Sequence, residues 1–135
     1  AEGVPGHARD DATARVLAVL QRTLDDPRGR WLFAASHAGA RSEWALAGMH
    51  DGVVEHVTLD RTFVADGVRW IVDFKTGRHE GGDTDAFLDN EEVRYRAQLE
   101  RYARILRGLD SRPIRLALYY PLVDGGWREW CCDAA

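Results

Sequence analysis

Apolar residues recur at two different spacings along the chain, and the changes between these spacings divide it into elements. Helical spacing covers residues 8–24 and a second stretch that runs to 108, starting at 85 or only near 89. Extended patterns cover residues 42–47, 53–76, 114–120 and 127–132, with a break at 48–52. The order α, β, β, β, α, β, β in 135 residues predicts one α/β domain, a mixed sheet of about five strands flanked by helices.

The long extended segment contains the strongest hairpin signal in the chain, an Asp-Gly pair at 66–67 between β-branched and aromatic runs. A two-residue turn there fixes the register of both strands. Counting outward places Asp60 opposite Asp73 and Thr58 opposite Lys75. Because side chains alternate along a strand, Asp60, Asp73 and Lys75 are expected on one face.

Two carboxylates directly opposite each other destabilise a strand pair, so this placement needs an explanation. One is a solvated, charged face, which is what most charge runs are. The other is a divalent cation between the carboxylates, since oxygen ligands suit Mg²⁺ or Mn²⁺. Lys75 favours the second interpretation, because it is the only lysine in a chain that has seventeen arginines.

A further pair of polar residues lies on the second predicted helix. Gln98 and Tyr102 are four positions apart and therefore share one side of it. The pattern of Asp60, then Asp73-Phe74-Lys75, then Gln98 and Tyr102 resembles the RecB-like branch of the PD-(D/E)XK nuclease superfamily. The likeness covers residues 41–130. This region is similar to the nuclease domain at the C-terminal end of AddA- or UvrD-type helicase-nucleases.

The resemblance implies a restriction-endonuclease-like core and a metal-dependent DNA nuclease that acts with a helicase motor in DNA repair and recombination. It implies Mg²⁺ or Mn²⁺ held by Asp60, Asp73 and the backbone carbonyl of Phe74, with Lys75 assisting catalysis. Gln98 and Tyr102 would lie beside the site and the DNA. Two alternatives remain: a non-catalytic module of the same fold that guides nucleic acid or docks a partner, and an unrelated α/β domain with a chance match.

The chain departs from the family pattern in two places. Leu59 precedes the first aspartate where the superfamily has proline, and the upstream histidine ligand in a Gly-x-x-x-His setting has no counterpart. His7 and His37 stand in other contexts. We therefore expect residues 1–135 to be an excised C-terminal fragment of a larger helicase-nuclease. Without the upstream helix, the fragment is expected to bind metal weakly and to be weakly active or inactive on DNA. DNA, the motor domain of the same parent chain and a possible second subunit are the expected partners.

Composition limits the possible partners and locations of the protein, and two further residues are weaker candidates for the site. The net charge of −4 is unusual for an autonomous DNA-binding domain. No apolar run is long enough for a membrane span and no signal-peptide pattern opens the chain, so a cytoplasmic location is expected. The adjacent cysteines at 131–132 suit neither a zinc site nor an ordinary disulfide. Glu43, where relatives have an acidic residue, and the loop residue His79 are the weaker candidates for the site.

Overall fold

The computed structural model describes residues 6–79 and 81–131, with side chains from residue 10 onward. The elements are α1 (Gly6–Asp25), α2 (Pro27–Leu32), β1 (Ala38–His50), β2 (Val53–Ala65), β3 (Val68–Phe74), α3 (Thr84–Arg107), β4 (Ile114–Tyr119) and β5 (Trp127–Cys131). The predicted order of elements is confirmed, with α2 as an additional short helix. Cys132, which the sequence assigns to the last strand, lies outside the described residues.

One five-stranded sheet in the order β1-β2-β3-β4-β5 forms the centre of the fold. Neighbouring strands are antiparallel except β3 and β4, which are parallel and are joined through α3. A parallel pair requires such a crossover, because a short turn can only join antiparallel strands. The predicted mixed α/β sheet is therefore confirmed, and β3 lies at its centre.

Two Asp-Gly turns shape the first half of the sheet. At 66–67, Asp66 and Gly67 have φ values of 52° and 76°, which suit a type I′ hairpin turn and confirm the predicted turn. At 51–52 the φ values are 50° and 78°, so a second turn of the same kind joins β1 to β2. The predicted break at 48–52 was too wide and the predicted strand at 42–47 too short, because β1 continues to His50.

Each face of the sheet has its own core. On one face, α3 covers residues such as Leu59, Ile71 and Leu116, and Leu99 of the helix is fully buried against them. On the other face, α2 buries Leu32 against a second cluster that includes Phe63, Val72 and Tyr119. The two clusters fix which side of each strand faces which helix.

The start of α3 is set by a side-chain cap. The carboxylate of Asp83 accepts hydrogen bonds from the backbone N–H groups of Asp85 at 2.9 Å and Ala86 at 3.3 Å. Such a cap satisfies donors that have no partner within the helix. The helix therefore begins at Thr84, next to the earlier of the two predicted starts, and the start near residue 89 is wrong.

A buried ion pair fastens the start of β3 to the segment after α3. Arg69 Nε donates to Asp110 Oδ2 at 2.9 Å, and the two side chains are 10% and 8% exposed. Arg69 Nη1 also donates to the carbonyl oxygen of Gly39 at 2.9 Å. One guanidinium thereby links three segments that are distant in the sequence.

The first helix contributes little to either core. Its apolar residues Val16, Leu17, Leu20 and Leu24 are each more than half exposed.

Within the described part of the chain, no helix is both long and apolar enough to cross a membrane.

The first strand forms an edge of the sheet and has an irregular backbone. It pairs with β2 alone, and its register shifts between Ala38 and Arg41. Two residues further on, Glu43 has a φ of 49°, a left-handed conformation that is uncommon for a residue with a side chain. Pairing with β2 is regular from Trp44 to His50.

Candidate active site

The hairpin register brings Asp60 and Asp73 to corresponding positions on neighbouring strands. The pairs run from Ala65–Val68 to Arg61–Val72, which confirms the predicted register over that length. Asp60 and Asp73 occupy the next positions, where Asp60 Oδ2 accepts a hydrogen bond from the backbone N–H of Phe74 at 2.8 Å. A side-chain carboxylate thus bonds the backbone of the neighbouring strand just beyond the last regular pair.

The predicted pairing of Thr58 with Lys75 is wrong. The β2–β3 ladder ends at Arg61–Val72 and β3 itself ends at Phe74. The N–H of Lys75 instead donates to the carbonyl of Tyr119 at 2.8 Å, on the β4 side. Lys75 is therefore positioned by the parallel strand β4 rather than by β2.

The alternation of faces along β2 is interrupted at Asp60. Leu59 packs in the core beneath α3, whereas Arg61 lies on the α2 face, where its Nε donates to the carbonyl of Leu32 at 3.0 Å. Strict alternation would place both residues on one face. Glu43, opposite Asp60 by register, has the left-handed φ described above. Asp60 lies at this interruption, and its carboxylate accepts the hydrogen bond from the Phe74 N–H of β3.

Lys75 contacts both Asp73 and helix α3. Its Nζ lies 2.7 Å from Asp73 Oδ2 and 3.7 Å from the centre of the Tyr95 ring. Asp73 is only 5% exposed, and the Lys75 side chain is 22% exposed. The only lysine of the chain is thus held between a buried carboxylate and an aromatic face, at the end of the central strand.

Negative charge is crowded at Asp60. Burial raises the pKa of the Asp60 carboxyl to about 6. The hydrogen bond from the Phe74 N–H opposes this shift, while the negative charges of Asp73 and Glu43 add to it. Glu43 is therefore near enough to act on Asp60, consistent with its weaker assignment to the site. A cation placed among these carboxylates would relieve the repulsion.

Replacing Asp60 by Asn is expected to stabilise the metal-free protein at pH 8 and to have little effect at pH 4. A carboxyl whose folded pKa is raised contributes stability below its unfolded pKa, near 3.8, and loses it as the pH rises through about 6. The amide can still accept from the Phe74 N–H but carries no charge. Because Asp60 itself is only partly buried, solvent screening limits the gain to on the order of 1 kcal/mol.

Urea unfolding of the Asp60→Asn variant at both pH values, with chelator present, measures this effect. Asp66→Asn, a matched change at an exposed turn carboxylate, serves as the control. An equal change in unfolding free energy at pH 4 and pH 8 would contradict the electrostatic explanation.

Gln98 and Tyr102 are joined to each other on α3. Gln98 Nε2 donates to the Tyr102 hydroxyl oxygen at 2.5 Å, and Tyr102 is 7% exposed within the core. The helical residue that contacts the lysine is Tyr95, one turn before Gln98. At about 1.5 Å per residue, Tyr102 lies roughly 10 Å further along the helix than Tyr95. The structure therefore groups Asp60, Asp73 and Lys75 tightly, with the Gln98–Tyr102 pair further along the wall formed by α3.

Tyr95 is the residue of this site that the sequence did not reveal. Its spacing from Leu99 and Tyr102 assigns it to the buried stripe of the helix, where it does pack beside the core. The signal that could have identified it is its position on the Gln98 side of the helix, one turn nearer the start. An aromatic ring there can face a cation at the end of β3.

Two histidines of the described chain, His37 and His79, make contacts elsewhere. The His37 ring stacks on Phe63 at 4.2 Å, in the core on the α2 face. The His79 ring stacks on Phe87 at 4.6 Å, near the start of α3. The side chain of His7 lies outside the described residues. Among the residues that are described, no group of three or more His, Cys, Asp and Glu side chains converges to hold a metal ion.

Neither protein-family profiles nor curated proteins match this sequence.

Proposed function

We propose that this chain is a metal-dependent DNA nuclease domain with a restriction-endonuclease-like core of the RecB-like type. The observation that carries the proposal is the contact of the only lysine with Asp73 at 2.7 Å, with Asp60 on the neighbouring strand beside it. An adjacent pair of acids with an ammonium at the end of a central strand suits phosphodiester hydrolysis. An ion pair with a purely structural role would not need a second carboxylate beside it. Asp60 is such a carboxylate, and burial disfavours its charged form.

The donor set fits Mg²⁺ or Mn²⁺. Asp60 and Asp73 supply carboxylate oxygens from two adjacent strands, and the Phe74 carbonyl is the candidate backbone ligand. Hard divalent cations prefer such oxygen ligands. The raised pKa of Asp60 supports the assignment, since a bound cation would favour the charged carboxylate that burial and the neighbouring negative charges disfavour.

The chemistry divides between the cation and the protein side chains. When bound, a divalent cation polarises a phosphate oxygen and makes a nearby water more acidic. Lys75 supplies a positive charge and N–H donors that orient the attacking water and stabilise the charge developing on the phosphoryl oxygens. The backbone bond to Tyr119 and the packing of α3 limit its movement, which holds that charge in place. Gln98 and Tyr102 brace the helix that walls the site.

The proposed partners follow from the charge balance and the resemblance. With a net charge of −4, the chain has few uncompensated cations for phosphate contacts. We infer that a helicase motor of the same parent chain, with a possible second subunit, holds the DNA strand and delivers it to this domain. DNA repair and recombination are the processes in which such a pairing acts.

Incubating the protein with end-labelled single- and double-stranded DNA tests the proposal directly. Cleavage is expected in Mg²⁺ or Mn²⁺ and not in excess chelator. Calorimetry with Mn²⁺ is expected to detect weak binding that disappears in Asp60→Asn. Absence of both cleavage and Asp60-dependent Mn²⁺ binding would contradict a nuclease site.

One observation favours a second candidate, a non-catalytic module that guides nucleic acid or docks a partner. Lys75 pairs directly with Asp73, as in an ion pair with a purely structural role. This candidate predicts DNA or partner binding that is independent of divalent cations and unaffected by Asp73→Asn. Measuring DNA or partner binding with and without divalent cations, in the wild type and in Asp73→Asn, therefore separates the two functions.

A further inference from the structure

The Lys75 ammonium has two partners of different kinds. Asp73 Oδ2 is an ionic partner at 2.7 Å, and the face of the Tyr95 ring is a second partner, 3.7 Å from Nζ to its centre. A ring face attracts a cation through its quadrupole and offers no lone pair that a metal would occupy. Arg94, the other cation near this ring, is more distant at 5.0 Å and 68% exposed.

The two partners respond differently to a divalent cation. Asp73 is a candidate metal ligand, so a bound cation would compete with the ammonium for its oxygens and repel it. The Tyr95 ring would be unaffected by that competition. If the carboxylate were its only partner, the ammonium would be displaced into solvent by the bound cation. It would then be out of position when the phosphodiester bond is cleaved.

We propose that Tyr95 is the positioning residue of Lys75: its ring holds the ammonium beside the carboxylate pair when a divalent cation takes over Asp73. The catalytic part of this inference rests on the proposed nuclease function. The contact between the Lys75 ammonium and the Tyr95 ring does not depend on that function, and it can be measured without DNA.

The single lysine makes a direct spectroscopic test possible. A protein labelled with ¹³C-lysine gives one set of side-chain signals, all from Lys75. In the wild type and in Tyr95→Phe, the ring current is expected to move the ε-methylene protons upfield of their position in free lysine. Tyr95→Leu should abolish this shift. Phe87→Leu, which removes a ring of the same helix that packs on Tyr120, should leave it unchanged.

Addition of Mg²⁺ to the labelled wild type tests the second half of the inference. The upfield shift should persist at saturating Mg²⁺, together with nuclear Overhauser contacts between the ε-methylene protons and the Tyr95 ring. Lysine signals at the free position before Mg²⁺, or signals that move there when Mg²⁺ is added, would overturn the inference. The contacts in the wild type decide the matter even if Tyr95→Leu fails to fold.

Cleavage kinetics test the catalytic consequence. Tyr95→Leu is expected to lower kcat roughly tenfold with little change in KM for DNA, and Tyr95→Phe should restore most of it. A Tyr95→Leu variant that loses the ring-current shift but keeps its kcat would overturn the positioning role. A wild type with neither cleavage nor Asp60-dependent Mn²⁺ binding would instead refute the nuclease proposal, while the spectra would still decide whether Tyr95 contacts the lysine.

Discussion

Replacing Asp73 by Ala is expected to reduce cation-dependent DNA cleavage by roughly 10²–10³-fold or more, with the fold retained. The change removes a candidate metal ligand and the ionic partner of Lys75 together. Lys75→Ala should lower the rate by a comparable factor, because no other lysine in the chain can replace it. Cleavage rates of both variants at saturating Mg²⁺ or Mn²⁺ measure the effect.

The control for these variants is Asp11→Ala, which removes an exposed carboxylate of α1 and should cleave at the wild-type rate. Circular dichroism establishes that each variant is folded. Without metal, Asp73→Ala removes the negative charge beside Asp60 but also the ionic partner of Lys75, so the two effects oppose each other and the melting temperature should stay close to that of the wild type. Undiminished cleavage by Lys75→Ala would move the catalytic centre to another part of the chain.

Replacing Asp110 by Ala is expected to cost about 3–5 kcal/mol of unfolding free energy, because it leaves the guanidinium of Arg69 buried without its carboxylate. A loss of that size lowers the melting temperature by on the order of 10 °C or more in a domain of this length. Thermal and urea unfolding followed by circular dichroism measure it. Asp110→Asn, which keeps a hydrogen-bond acceptor, should lose less.

The ion pair of Arg22 with Asp124 provides the matched control. Its atoms also lie 2.9 Å apart, but its side chains are 48% and 98% exposed. Asp124→Ala should therefore change stability by no more than about 1 kcal/mol. Equal losses in Asp110→Ala and Asp124→Ala would mean that water reaches Arg69 once its partner is removed.

The sheet was predictable where local turn chemistry and hydrophobic pattern agree. The Asp-Gly turn at 66–67 lies between strands whose inner residues are buried, so its register could be counted. The equivalent turn at 51–52 was predicted only as a wider break at 48–52, because β1 is an edge strand with most of its residues exposed. Little burial means little alternation, and without alternation a strand has no clear end in the sequence.

The site was predictable only in part, for a different reason. Counting from the turn identified Asp60 and Asp73 because pairing is regular as far as Arg61 and Val72. Beyond those residues the strands are irregular, because Glu43, opposite Asp60 by register, has a left-handed φ. Glutamate is not a residue type that signals a left-handed conformation. The contact of Tyr95 with Lys75 depends on how a helix docks across a parallel strand pair, which periodicity along one element does not determine.

The irregular backbone of β1 also bears on how the protein behaves at high concentration. A regular outer strand of thirteen residues would offer a continuous row of unpaired N–H and C=O groups to a strand of another molecule. The register shift after Ala38 and the left-handed Glu43 divide that row, leaving an unbroken stretch only from Trp44 to His50. The irregular backbone at Glu43, beside the candidate site, thus also shortens the surface open to edge-to-edge aggregation.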